Sequence, residues 1–133
     1  MDADALEEKI RLHKEFQADN SKGSRADFTD MSLEGGRLKH ADLKGAKMVR
    51  TNLQGADLRD LSIEGTDATG SNLKYAHISI LSLIGVNLTG VDITGLNLTD
   101  EHILDEYRES SVPPISELSR EDLIFSYLEA NNV

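Results

Sequence analysis

The chain has 133 residues, 38% of them hydrophobic, with three Phe, three Tyr, no Trp and no Cys. That excludes a disulfide framework and a thiolate metal site, and it is a thin supply for a globular core. The net charge is −10; no apolar run nears membrane-spanning length and no signal peptide opens the chain, so a cytoplasmic protein is expected.

In chain order, residues 4–17 predict an amphipathic helix. Asp4 and Glu7 stand at capping-box spacing, with Asp in place of Ser or Thr. Leu6, Ile10, His13 and Gln17 fall on one face, with Phe16 beside it, and Asn20 to Gly23 ends the helix.

From Phe28 to Leu98 every fifth residue is apolar, through 15 positions without an insertion. A period of five fits neither a helix nor a flat strand. The chain must turn once per repeat and coil into a solenoid with these residues inside. Two places before each centre lies a second inward candidate, such as Met31, Thr51, Thr66, Ser71 and Leu81. Between the two stands an outward residue, mostly Asp, Asn or Ser. Two places after the centre Gly recurs, where it permits the positive φ of a type II turn. One side carries His40, Asp60, Ile80 and Asp100 at that place and no Gly, so its turns are expected to differ in type.

Charges set the length of a coil. At a spacing of 20, Asp27/Lys47, Lys47/Asp67, Asp30/Arg50, Arg37/Asp57 and Lys44/Glu64 are opposite, and only Lys39/Arg59 is like-charged. At a spacing of 15 the pairs Asp27/Asp42, Asp42/Asp57, Lys44/Arg59 and Arg59/Lys74 are all like-charged. Twenty residues per coil, hence four repeats, is the better register. Each such exposed pair stabilises by only ~0–1 kcal/mol, so the pairs specify alignment more than they hold the fold.

The segments ADLKG (41–45), TNLQG (51–55), ADLRD (56–60), SNLKY (71–75), VNLTG (86–90), VDITG (91–95) and LNLTD (96–100) resemble the pentapeptide-repeat family. The resemblance implies an all-β solenoid, a right-handed four-sided β-helix of about 15 repeats. The run from Leu12 to Phe28 further resembles the lead-in of members from phage and prophage, which carry Trp where this chain has Phe16.

Beyond Leu98 the repeat stops. Asp100 is placed to cap a short helix over 101–109, Pro113 and Pro114 break it, and a second helix starts near Ser119, with Asp122 three residues on, and runs to about Glu129. The expected organisation is an N-terminal helical cap (1–25), a β-helix (26–100) and a C-terminal acidic helical cap or interaction tail (101–133).

No catalytic, cofactor or metal constellation appears. His13, His40, His77 and His102 are dispersed, and the glycines recur for turns rather than phosphate. His40 should stack on Asp60 as a surface contact. The exceptions to the repeat are the candidate sites. Tyr75, Ile80 and Ile84 should face outward, and LIFSYL (123–128) offers Leu123, Phe125 and Tyr127 to a partner or a second copy. Glu101, Asp105 and Glu109 form an acidic stripe on the first C-terminal helix. Arg37, Lys39, Lys44, Lys47, Arg50 and Arg59 form a basic band, whereas the tail from 101 holds eight acids and two bases.

The expected function is a non-enzymatic protein-interaction module that needs no cofactor and binds neither nucleic acid nor membrane. The phage-like lead-in implies an accessory factor acting on a bacterial host protein. Some members of the family mimic B-DNA and inhibit or protect DNA gyrase, and others dimerise through the C-terminal end; both are alternatives here, as is a purely structural solenoid.

Overall fold

A computed structural model describes residues 1–132. A helix, α1 (Ala3–Ala18), leads into a coil of short extended steps that includes the paired strands β1 (His77–Ile78) and β2 (Asn97–Leu98). Two helices follow, α2 (Glu101–Ser110) and α3 (Arg120–Asn131), joined through a short 3-10 turn at Ile115–Glu117.

The coil closes every twenty residues. Parallel bridges join Asp27 to Lys47, Arg37 to Asp57, Lys47 to Asp67 and Asn72 to Asp92, and β1 pairs with β2 as His77 to Asn97. The rungs are two-way. The Phe28 amide donates to the Lys47 carbonyl at 2.8 Å, and the Lys47 amide donates back to the Ala26 carbonyl at 3.0 Å. Five-residue steps therefore make four to a coil, and large centres stack on one another inside: Phe28, Met48 and Ala68 on one side, Leu38, Leu58 and Ile78 on another, all buried.

The repeat chemistry is legible at each corner. The Asp or Asn before the centre accepts from the amide two residues on: Thr29 donates to Asp27 at 2.9 Å, Gln54 to Asn52 at 3.1 Å, Thr69 to Asp67 at 3.0 Å. This is the Asx turn, and it explains why that position is Asp or Asn rather than any polar residue. The next corner residue takes positive φ. Glycine supplies it at Gly45 and Gly65, but His40 (φ 68°) and Asp60 (φ 56°) adopt it as well. The expectation of a different turn type on that side holds in part: hydrogen bonding around the corner keeps His40 and Asp60 in the left-handed region despite their Cβ, whereas Ile80 and Asp100 (φ −125°) leave it.

Ile80 is the exception that does change the path. A β-branched residue at positive φ is strongly disfavoured, and the chain instead forms a 3-10 helix at Ile80–Leu83, opened by the Ser79 hydroxyl accepting from the Leu81 amide at 3.1 Å. This rolls Ile80 into the core and Leu81 out of it, so Leu81 is 51% exposed. Both sequence assignments are reversed here, Ile80 having been expected outside and Leu81 inside. Met31, the other expected inward residue, is also exposed, whereas Thr51, Thr66 and Ser71 are buried as expected.

Buried hydroxyls are satisfied by the coil before. Thr51 donates to the Phe28 carbonyl at 2.9 Å and Thr66 to the Leu43 carbonyl at 3.1 Å. Ser71 accepts from the Thr51 amide at 3.0 Å and donates to the Met48 carbonyl, so it replaces the direct turn bond between those two residues.

At the N-terminal end α1 is capped by Asp2, which accepts from the Ala5 amide, not by Asp4. Leu6 and His13 are its buried residues. His13 accepts at Nδ1 from the Ala26 amide (3.0 Å), which leaves Nε2 to donate to the Lys44 carbonyl (2.8 Å). At the other end Leu104 of α2 and Leu123, Ile124 and Leu128 of α3 join the core. Ser119 caps α3 by accepting from the Asp122 amide. Asp100 precedes α2 but makes no capping bond; its carboxylate accepts from Ser79 Oγ (2.5 Å) and the Ile80 amide (2.8 Å) and so fixes the 3-10 turn.

Candidate functional site

The sides of the coil are polar and locally satisfied. Asp67 and Asp92 each accept from the amide and hydroxyl of the following Thr, and these bonds hold both carboxyls below the usual range. The Arg59 guanidinium clasps Asp57 at 2.8 and 2.9 Å and lowers it further, and Arg50 does the same to Asp30.

The basic residues do not assemble into one face. Arg37 and Lys39 lie on the side of Leu38, Lys44 on that of Leu43, and Lys47 and Arg50 on that of Met48, with Arg59 one coil above Lys39. They are spread over three of the four sides of the rod. Arg50 and Arg59 are held by Asp30 and Asp57. Asp57 thus pairs along its own step rather than with Arg37 across the coil, because Arg59 lies two residues away on the same exposed side. Of the opposite charges aligned at a spacing of twenty, Asp30 and Arg50 close an ion pair. His40 contacts Asp60 at 3.2 Å, both well exposed.

The acidic stripe divides. Glu101 receives the Arg120 guanidinium at 2.6 Å, and the same Arg120 donates to the Leu96 carbonyl, tying α3 to the last coil. Asp105 and Glu109 stay exposed. The tail's other cation, Arg108, donates to the Ser116 and Leu118 carbonyls. Both tail cations are thus engaged inside the fold.

Among the apolar candidates, Tyr75 faces outward with 53% exposure. Its ring lies on Gly95 of the next coil, where an added Cβ would come within 2.4 Å of ring carbons. Ile84, Phe125 and Tyr127 are half-buried, and Tyr127 meets Tyr107 edge to face at 5.4 Å. Leu123 is buried, like Ile80, and is removed from the contact candidates: it lies on the face of α3 that packs on the core. Leu81 is the exposed residue that sequence reasoning missed. The available signal was the β-branched Ile80 at a corner requiring positive φ. Leu81 borders a groove of about 480 Å³ with Lys44, Glu64, Ile84 and Asn131.

Among the described residues no group of His, Asp and Glu is arranged to hold a metal, and no helix is long and apolar enough to cross a membrane.

Comparison with solved structures finds pentapeptide repeat proteins. Rfr23 from the cyanobacterium Cyanothece 51142 is 28% identical over 57% of this chain and 52% of that one, with a TM-score of 0.33. This chain thus spans about half of that protein's length. A pentapeptide repeat protein from the Arabidopsis thaliana thylakoid lumen is 16% identical over 77% of this chain and 90% of that one, with a TM-score of 0.38. QnrB1, a plasmid-mediated fluoroquinolone resistance protein, is 17% identical over 63% of this chain and 46% of that one, with a TM-score of 0.20. No curated protein sequence matches the chain. The model of pentapeptide repeats matches in eight copies over residues 24–60, 37–74 and 52–90. With half of its length in that match, the chain belongs to the pentapeptide repeat family, and its parallel coil of twenty residues is that family's β-helix.

Proposed function

We propose that this chain is a non-enzymatic protein-interaction module, with residues 1–25 and 101–133 capping a repeat solenoid over 26–100. The observation that carries the reading is where the unexplained apolar surface lies. The sides satisfy themselves through Asx turns and ladder bonds, whereas the C-terminal end presents apolar groups on three separate grooves, exposed Leu81 with half-buried Ile84 on one, half-buried Phe125 on another and half-buried Tyr127 on a third. Rigid, presented apolar groups of this kind anchor protein partners. Tyr75 belongs to the same proposal as a separate contact. The partner is a bacterial host protein met in the cytoplasm, on the phage-like lead-in, and a second copy bound through the C-terminal helices is the competing occupant.

The test is affinity capture from a bacterial lysate at low and high salt, with the parent chain and with Phe125→Ala/Tyr127→Ala. A partner retained in high salt and lost in the variant supports the module. Capture unaffected by these substitutions overturns the assigned contacts.

A second reading, local DNA mimicry, draws on the exposed Asp105 and Glu109 and the internal engagement of Arg108 and Arg120. It requires capture that collapses with added salt and competes with duplex DNA. Salt-tolerant capture without competition removes it.

A further inference from the structure

The last coil leaves a defined set of backbone groups without partners. One coil lower, the amides of Ala68, Gly70, Leu73 and Tyr75 donate to the carbonyls of Asn87, Thr89, Asp92 and Thr94 at 2.8–3.1 Å. The Thr66 and Ser71 carbonyls accept from the Asn87 and Asp92 amides at 3.0 and 3.1 Å. Twenty residues on, the equivalent groups are the amides of Leu88, Gly90, Ile93 and Gly95 and the carbonyls of Val86 and Val91. None has a hydrogen-bond partner among the described residues. The helices do not serve this part of the edge: Arg120 reaches the Leu96 carbonyl, on the following side.

The side-chain layer is open at the same place. Phe28, Met48 and Ala68 are buried, but Leu88, the next centre in that stack, is half-buried. It borders a groove of about 280 Å³ whose other walls include Phe125, Leu128 and Glu129.

We infer that the edge at residues 86–90 is a strand-addition site, which takes a short extended segment of a partner protein as the next rung. An unpaired strand edge is a ready template for another chain. The two free amides and the Val86 carbonyl specify an extended backbone. The groove takes an apolar side chain two positions along from a basic one, which meets Glu129. The inference rests on the proposed interaction role and names its partner's chemistry.

Helix α1 and the N-terminus cover part of the first coil's open edge, which disfavours head-to-tail stacking of copies. Lys9 donates to the Asp27 carbonyl, the N-terminal amine to the Ser32 carbonyl, and the Ala26 amide to His13.

The experiment uses the full chain, labelled with 15N, and the probe acetyl-VKTLTV-amide, whose Leu lies two positions along from its Lys, with a version N-methylated at alternate amides as its control. In the free protein the Leu88 and Gly90 amides should exchange with solvent at least about tenfold faster than those of Ala68 and Gly70. At saturation with the probe they should shift and slow by about the same factor, and the N-methylated peptide should leave them unchanged. Leu88→Arg, which fills the groove and adds a like charge, should weaken the probe at least about fivefold while Ala68 and Gly70 stay protected, showing an intact coil.

Four outcomes overturn the proposal: Leu88 and Gly90 protected in the free protein at low concentration; shifts that saturate elsewhere; equal binding of the N-methylated peptide; or no saturable binding at millimolar probe. Protection that grows with protein concentration alone would assign the edge to a second copy. Capture lost with Phe125→Ala/Tyr127→Ala, alongside failure of the probe, leaves the interaction role standing and removes only the edge.

Discussion

Gly65 and Gly95 hold the same place in their five-residue repeats, on opposite sides of the coil, and separate two costs. Gly65 (φ +75°) faces open space, so Gly65→Ala pays only for a Cβ in the left-handed region, about 1–2 kcal/mol. Gly95→Ala adds a collision with the Tyr75 ring and should cost more. Urea denaturation should show the excess vanish in the Tyr75→Ala background; if it persists, the ring is not the obstacle. The outward carboxylates carry a pH signature. Asp27, Asp30, Asp57, Asp67 and Asp92 all titrate lower than an ordinary carboxyl. Their stabilisation is complete above the unfolded value of about 4 and is lost as pH falls through the folded values. Melting temperature should therefore drop on acidification below about pH 4. Asp67→Asn keeps the Asx acceptor without the titration, so its acid-induced drop should be smaller; an unchanged drop would refute this assignment.

Elements are decided by how a few residues override the repeat. Ile80→Ala should cost about 2–5 kcal/mol as a cavity in the core, whereas Leu81→Ala should stay within about 0.5 kcal/mol as a surface change. The reverse order in thermal denaturation would restore the unbroken repeat. Helix α1 is tied to the coil through the buried His13 ring. His13→Ala leaves the Ala26 amide without its partner, at about 1–3 kcal/mol for a group left buried and unpaired, while the Lys44 carbonyl keeps Gln17 Nε2 at 3.2 Å. Native-state exchange should then show the Ala26 amide losing protection before the central coils do. Both helical ends were legible in the sequence from amphipathic spacing and the Ser119 cap. The particular contacts were not, because each joins residues far apart in the chain whose approach depends on where α1 crosses the first coil.

The whole molecule carries its excess negative charge at one end. The tail from residue 101 has eight acids, and its two arginines are engaged with carbonyls and Glu101. Mutual repulsion of the remaining carboxylates should make the melting temperature rise with added NaCl, since screening lengths fall to about 10 Å at 0.1 M. The charge reversals Asp105→Lys and Glu109→Lys should raise it at low salt and flatten that dependence; an unaltered slope would place the repulsion elsewhere. The basic residues give the opposite lesson. They look like a band in the sequence because a window of about one coil passes through every side in turn, so nearness along the chain becomes dispersion around the rod.

The sequence by itself determined the inward centres and the Asx-turn position, through a period of five, and the coil register, through charges twenty apart. These are local or strictly periodic properties, and repetition multiplies a weak signal. Only the tertiary structure decided the exceptions. Ile80 turns inward because its branched Cβ cannot hold the corner conformation and Asp100, from the next coil, secures the alternative. Leu123 is core because of the face α3 presents to the last coil. The unpaired edge at Leu88 and Gly90 exists because the coil ends there and the helices that follow engage a neighbouring side. Each depends on where a non-repeating segment docks, and a periodic pattern carries no information about that.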